Sequence, residues 1–132
     1  MGVGTIPEAW WWGLPLEKIS PDVLNFVEEY IDRFVAWDLL AYFHENPDTD
    51  RKPTQIAIEI GRKTTAIEPS LDRFVEQGIL SRDTDEDAQP TYHYTATGEF
   101  RKAMRDFLAA TSDRTSRLAI VSRVLQKEIK HL

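Results

Sequence analysis

The chain has 132 residues, 42% of them hydrophobic and 29% charged, and a formal net charge of −6. This is the composition of a globular domain with a core of its own, and it excludes a disordered chain. The absence of cysteine removes disulfides, Cys-ligated zinc, iron–sulfur clusters and thiol catalysis, and the scattered His44, His93 and His131 predict no metal site.

Residues 1–110 hold 11 basic and 20 acidic side chains, whereas 111–132 hold 5 and 2. The acidic excess argues against a chain devoted to holding nucleic acid, and a basic C-terminal segment stands apart from it. Residues 1–6 carry no basic side chain, and the apolar stretch after them is broken by Pro7 and Pro15, which predicts no secretory signal. No window approaches 18 apolar residues, so no membrane contact is expected and a cytoplasmic protein is.

Residues 1–19 concentrate glycine, proline and three of the four tryptophans, and read as an extended arm. Trp10, Trp11 and Trp12 are costly to leave in water. They are expected to complete a core, or else to anchor a protein partner. Ser20-Pro21 is a helix start, Ser as N-cap and Pro at the first helical position. The three- and four-residue spacing from Val23 to Phe43 then predicts helices at 21–31 and 33–45, with a break near Asp32-Arg33 and a stop at Asn46-Pro47.

Residues 47–53 read as a loop, in which Asp48-x-Asp50 lacks the further ligands and the glycine of a calcium loop. Thr54 is expected to cap a helix over 55–62 that ends at Gly61, and Thr65-Ala66-Ile67-Glu68 has the form of a capping box. Ile67, Leu71, Phe74 and Val75 make the apolar face of the helix that follows, with Gly78 at its end. Strands are expected at 78–82 and 91–95, joined by the polar turn 83–90. Thr97 is expected to cap a helix over 98–110 with Phe100, Met104, Phe107 and Leu108 on one face. A last helix is expected over about 115–131, where Leu118, Val121, Leu125 and Leu132 approach a coiled-coil spacing and Arg123, Lys127 and Lys130 form a basic strip.

The predicted fold is mainly α with a small β-hairpin. Three short helices followed by a hairpin is the order of a winged helix-turn-helix, and the resemblance extends to residues. The run 53–61 (PTQIAIEIG) resembles the first helix of that motif. Leu71, Phe74, Gly78, Ile79, Leu80 and Arg82 match the end of a recognition helix and its step into the wing, and Tyr92, Tyr94, Thr95 and Gly98 match the closing strand and next helix. The chain is thus similar to MarR-like and PadR-like bacterial transcriptional regulators over about residues 33–108. The organisation this implies is an arm and helix at 1–32, a winged helix-turn-helix domain at 33–110, and a C-terminal helix at 111–132.

The resemblance implies a regulator that binds double-stranded DNA and forms a homodimer through its N- and C-terminal helices. Carried over position by position, the DNA-binding residues are Arg62, Lys63, Thr64, Thr65, Ser70 and Arg73 on the recognition helix, with Arg82 and His93 at the base of the wing. The sequence departs from the pattern at Glu68, Pro69 and Asp72, and its wing tip, 83–87, carries four carboxylates. Residues 38–82 hold 6 basic against 8 acidic side chains, a poor endowment for phosphate contacts. The alternative is a winged helix that binds protein and not DNA.

An enzyme is not expected. No nucleophile motif such as Gly-x-Ser-x-Gly is present, and no glycine-rich phosphate loop lies between a strand and a helix. His44 is expected to answer a helix C-terminus. Trp37, Tyr42, Phe100 and Phe107 read as core, or alternatively as the lining of an effector pocket. No cofactor is predicted.

Overall fold

The computed structural model describes residues 19–84 and 89–130. Among these, six helices and one antiparallel hairpin follow in the order α1 (Pro21–Tyr30), α2 (Phe34–Glu45), α3 (Pro53–Ile60), α4 (Thr64–Glu76), β1 (Leu80–Thr84), β2 (Pro90–Tyr94), α5 (Gly98–Thr111) and α6 (Arg114–Ile129). The chain divides into two compact units, residues 35–102 in one and the flanking residues, up to 34 and from 103, in the other. None of the described helices is long and apolar enough to cross a membrane.

The flanking unit is built from α1, the end of α5 and α6. Ser20 caps α1 as its sequence predicts, its hydroxyl oxygen accepting from the Val23 N–H at 3.2 Å, with Pro21 in the first turn where its missing N–H costs nothing. The break expected near residue 32 is present. Ile31 closes α1 through its N–H to the Val27 carbonyl, and α2 starts at Phe34. Val23, Phe26, Val27, Ile31, Met104, Phe107, Ala119, Ile120 and Val124 are buried here, with the Phe26 and Phe107 rings stacked 5.2 Å apart.

Two residues of the basic strip of α6, Arg123 and Lys127, turn toward α1, whereas Lys130 is exposed. The Arg123 guanidinium donates to both Glu28 carboxylate oxygens, at 2.5 and 2.8 Å, and Lys127 Nζ donates to the Val27 and Glu28 carbonyls at 2.7 and 2.9 Å. Both carbonyls lie in the last turn of α1, where the dipole favours a cation; the Val27 oxygen accepts from Lys127 in addition to the Ile31 N–H. From the same face of α6, Glu128 accepts the Phe34 N–H that opens α2, at 3.2 Å. Thus α6 closes the end of one helix with a cation and the start of the next with an anion. The hydrogen bond from Arg123 is the main reason the Glu28 pKa lies below the usual carboxylate range. Burial opposes it, and the charges of Arg123, Lys127 and Lys130 add to it.

The leucines of α6 lie elsewhere than its buried stripe. Ala119, Ile120 and Val124 face the core, whereas Leu118, Leu125 and Ile129 keep 45%, 40% and 49% of their surface exposed. Leu132 and the tryptophans of the arm lie outside the described residues.

The unit of residues 35–102 packs α2, α3, α4 and the hairpin around Leu39, Leu40, Phe43, Ile56, Ile67, Leu71, Phe74 and Leu80, each almost wholly buried. Gly61 and Gly78 end α3 and α4 with φ of 71° and 77°, the left-handed conformation that glycine adopts without a Cβ clash. Two caps differ from the sequence expectation. Helix α3 begins at Pro53, so Lys52 holds the cap position and not Thr54, and the Gln55 side chain accepts the Lys52 N–H at 3.0 Å. Helix α4 begins at Thr64 after Lys63, which leaves Thr65 and Glu68 within the helix and no capping box. In both cases the residue before the expected cap is already helical, Pro53 because its fixed φ suits the first turn.

Both strands keep the expected five residues but lie closer to the turn than predicted, so Gly78, Ile79 and Thr95 fall outside them. Leu80 pairs with Tyr94, Arg82 with Tyr92 and Thr84 with Pro90, so Asp83 and Thr84 belong to the ladder. A further bridge joins Arg51 to the other edge of β2, with Tyr92 N–H to Arg51 O at 2.8 Å and Arg51 N–H to Tyr92 O at 3.2 Å. Thr97 caps α5 as expected, accepting the Phe100 N–H at 3.1 Å.

The closure of α1 by Lys127 has a measurable consequence. Lys127→Met keeps the apolar stem but removes two charge-assisted hydrogen bonds, and is expected to lower stability by about 1–2 kcal/mol. The exposed Lys130→Met is expected to stay within about 0.5 kcal/mol of wild type, both read from denaturant midpoints.

Candidate interaction face

The outward face of α4 and the adjoining hairpin carry most of the residues singled out from the sequence. Ile67, Ser70, Leu71 and Phe74 point inward, which leaves Thr65, Glu68, Pro69, Asp72 and Glu76 exposed. Glu68, Asp72 and Glu76 are spaced by four and so lie above one another along one side of the helix. The exposed stripe of α4 is therefore acidic.

Arg62, Arg82 and His93, beside this stripe, are each held by carboxylates. Arg62, just after α3, donates twice to Asp38 of α2, from Nε at 2.9 Å and Nη2 at 2.7 Å. Arg82 of β1 donates to Asp72 of α4 at 2.7 Å. Hydrogen bonding to Tyr92, first, and the Asp72 carboxylate hold the Arg82 pKa above its ordinary value. His93 of β2 lies between two carboxylates, Nδ1 at 2.6 Å from Asp50 and Nε2 at 2.7 Å from Asp83. A phosphate approaching Arg62 or Arg82 meets a cation whose partner is already in place, and one approaching His93 meets two carboxylates beside the ring.

The remaining predicted contact residues divide in two. Lys63 is exposed just before α4, with Thr64 half-buried and Thr65 exposed in the first turn. Ser70 is 6% exposed and Arg73 is half-buried, so the middle of α4 presents neither hydroxyl nor guanidinium freely to solvent. The carboxylates at 85–87 lie outside the described residues. Asp83, by contrast, is an exposed strand residue within the cluster.

Behind the face a second polar group joins α2, α3 and the bridge to β2. The Tyr42 hydroxyl donates to Glu59, and Arg51 Nε lies 3.6 Å from the same carboxylate. Burial, followed by the hydrogen bond and the charge of Glu59, pushes the Tyr42 hydroxyl up to about 12. At the opposite end of β2, Arg101 stacks 4.5 Å above the Tyr94 ring and donates to the Ala96 carbonyl at 3.0 Å. The His44 ring lies edge-on to Tyr94, with Nδ1 3.5 Å from its hydroxyl, a weak contact. Phe100 and Phe107 are buried, whereas Trp37 and Tyr42 are half-buried.

The sequence reading missed the carboxylate partners of these cations. The alternation of Thr91-Tyr92-His93-Tyr94 separates His93 from the two buried tyrosines and marks it as facing polar surroundings. Nothing in the spacing names Asp50, 43 residues earlier, as its partner. Against family models, curated proteins and solved structures alike, the chain shows no significant match.

Pro69 lies inside α4 on its exposed face. A proline there lacks the N–H that would bond to the Thr65 carbonyl and crowds that carbonyl, a cost of up to about 3 kcal/mol. Pro69→Ala is expected to raise stability by about 1–3 kcal/mol, read as a higher denaturant midpoint. An unchanged midpoint would mean that the backbone around residue 65 has already absorbed the strain.

Proposed function

We propose that residues 35–102 form a winged helix-turn-helix used as a protein-interaction module, whose α4–hairpin face takes a basic, Lys/Arg-rich segment of a partner. The order of α2, α3, α4 and a two-stranded hairpin supports the fold assignment, together with Gly61 and Gly78 at the two helix ends. The observation that carries the functional reading is electrostatic. The exposed side of α4 offers Glu68 and Glu76, while Arg62 and Arg82 are paired with Asp38 and Asp72 and the His93 ring lies between Asp50 and Asp83.

DNA affinity rests on counterions released when free Lys and Arg meet phosphates, with a log–log salt slope of about −0.9 per phosphate. Using Arg62 or Arg82 for that purpose means first breaking an ion pair at 2.7 Å. A cationic peptide needs no such exchange, and it gains from every unpaired carboxylate on the stripe. The DNA-binding regulator is the second reading. It is favoured by Lys63, exposed beside the first turn of α4, where backbone N–H groups and the helix dipole also attract phosphate.

Fluorescence anisotropy separates the two readings, with a random-sequence duplex and a lysine-rich peptide as probes across a salt titration. The protein-interaction reading expects peptide binding that weakens with salt and falls by about tenfold or more in Glu68→Lys/Glu76→Lys, with no binding of the duplex at low salt. Duplex binding by wild type that is lost in Lys63→Glu or Arg73→Glu would overturn it in favour of DNA.

A further inference from the structure

We propose that His93 is a proton-operated latch that ties the hairpin to the loop between α2 and α3. The latch follows from the geometry of residues 35–102 alone, and only its effect on partner binding rests on the reading above. β2 is the middle of three extended segments. β1 lies on one edge, and the bridge at Arg51 places Asp50 beside His93 on the other. Asp83 sits opposite Thr91, diagonal to His93 across the ladder. The ring therefore spans the strand, with one carboxylate at each nitrogen, at 2.6 and 2.7 Å.

Only one protonation state makes both contacts. An ionised carboxylate only accepts hydrogen bonds, so each ring nitrogen must carry a proton, and that species is the imidazolium. Neutral imidazole has one N–H and turns a lone pair toward the other carboxylate. At 2.6–2.7 Å that contact is repulsive, and it opens when the proton leaves for solvent. The protonated latch joins the loop, β2 and β1. The neutral form can hold Asp50 or Asp83, but not both.

The ionisable groups that act on His93 are Asp50 from the loop and Asp83 from β1. Nearby cations are engaged elsewhere, Arg82 with Asp72 and Tyr92, Arg51 with Glu59 and the Asp50 carbonyl. Burial of the ring favours the neutral form, but the two carboxylates outweigh it, and the His93 pKa lies above its ordinary 6.5. With the folded pKa raised, the stabilisation is complete below 6.5 and is lost as pH rises through the folded pKa. Among the described residues no group of three His, Asp or Glu is placed to hold a metal ion. The two nitrogens of the ring diverge, so the carboxylates beside them do not converge on one point. Opening the latch frees one carboxylate at the edge of the acidic face, so a basic partner is expected to be held more tightly above the His93 midpoint.

The direct test is an NMR titration of the His93 ring in the full chain, with Asp50→Asn and Asp83→Asn alongside. The expected result is a wild-type midpoint above 6.5 that falls in each single variant. In the double variant, where burial alone remains, the midpoint is expected below 6.5. Amide protection factors in β1 and β2 should drop across the wild-type midpoint and become pH-independent in that range in His93→Gln. A wild-type midpoint at or below 6.5, or one moved by only one of the two Asp variants, would overturn the latch. Both Asp side chains are mostly exposed, so the variants are expected to fold. The titration needs no partner, so its failure leaves the interaction reading standing, and failure of peptide binding leaves the latch standing.

Discussion

Four aspartates, Asp38, Asp50, Asp72 and Asp83, set the electrostatics of the α4–hairpin face, because they engage Arg62, Arg82 and the His93 ring within the fold. Each pair is partly exposed and adds little to folding stability, as surface ion pairs generally do. Their effect on recognition is larger. A cation already paired has less to gain from phosphate, and the exposed carboxylates of Glu68 and Glu76 on α4, which pair with no cation among the described residues, set the sign of the remaining field. Burial of Ser70 and partial burial of Arg73 act in the same direction, because the centre of α4 then offers few donors to a base edge.

The two compact units solve different problems with the same chemistry. In one, α6 supplies Lys127 to the Glu28 carbonyl at the end of α1, with a second bond to the Val27 carbonyl that Ile31 already uses, and Glu128 to the N–H that starts α2. These bonds span 94 to 100 residues of sequence and hold a three-residue break between two helices in a fixed form. In the other, charged side chains are spent on one another at the surface. The basic C-terminal segment, so prominent in the sequence, is thus in large part structural at Arg123 and Lys127.

Much of the architecture was legible because it rests on local physics. Ser20-Pro21 starts a helix for reasons contained in those two residues, Gly61 and Gly78 end helices because their φ is positive, and Thr97 caps α5. Local signals failed where two competed. Pro53 took the first helical turn from Thr54, and Lys63 preceded a helix that starts one residue before Thr65. The polar composition of 83–90 hid a strand end at Asp83 and Thr84, since the ladder is set by pairing across β2 and not by strand propensity. The site was less legible than the fold. The sequence shows Arg62 and Arg82 as cations and His93 as a titratable ring, but the carboxylates beside them come from other elements, and periodicity carries no information about such partners.

The central claim is that the acidic stripe of α4, with the hairpin beside it, is the surface this chain uses. A chemical-shift map of the full chain titrated with a lysine-rich peptide tests it most directly. The account predicts that the largest shifts fall on the amides of Thr65, Glu68, Asp72, Glu76 and Asp83, and that they saturate. Shifts confined to α6, or none at a peptide excess, would contradict it.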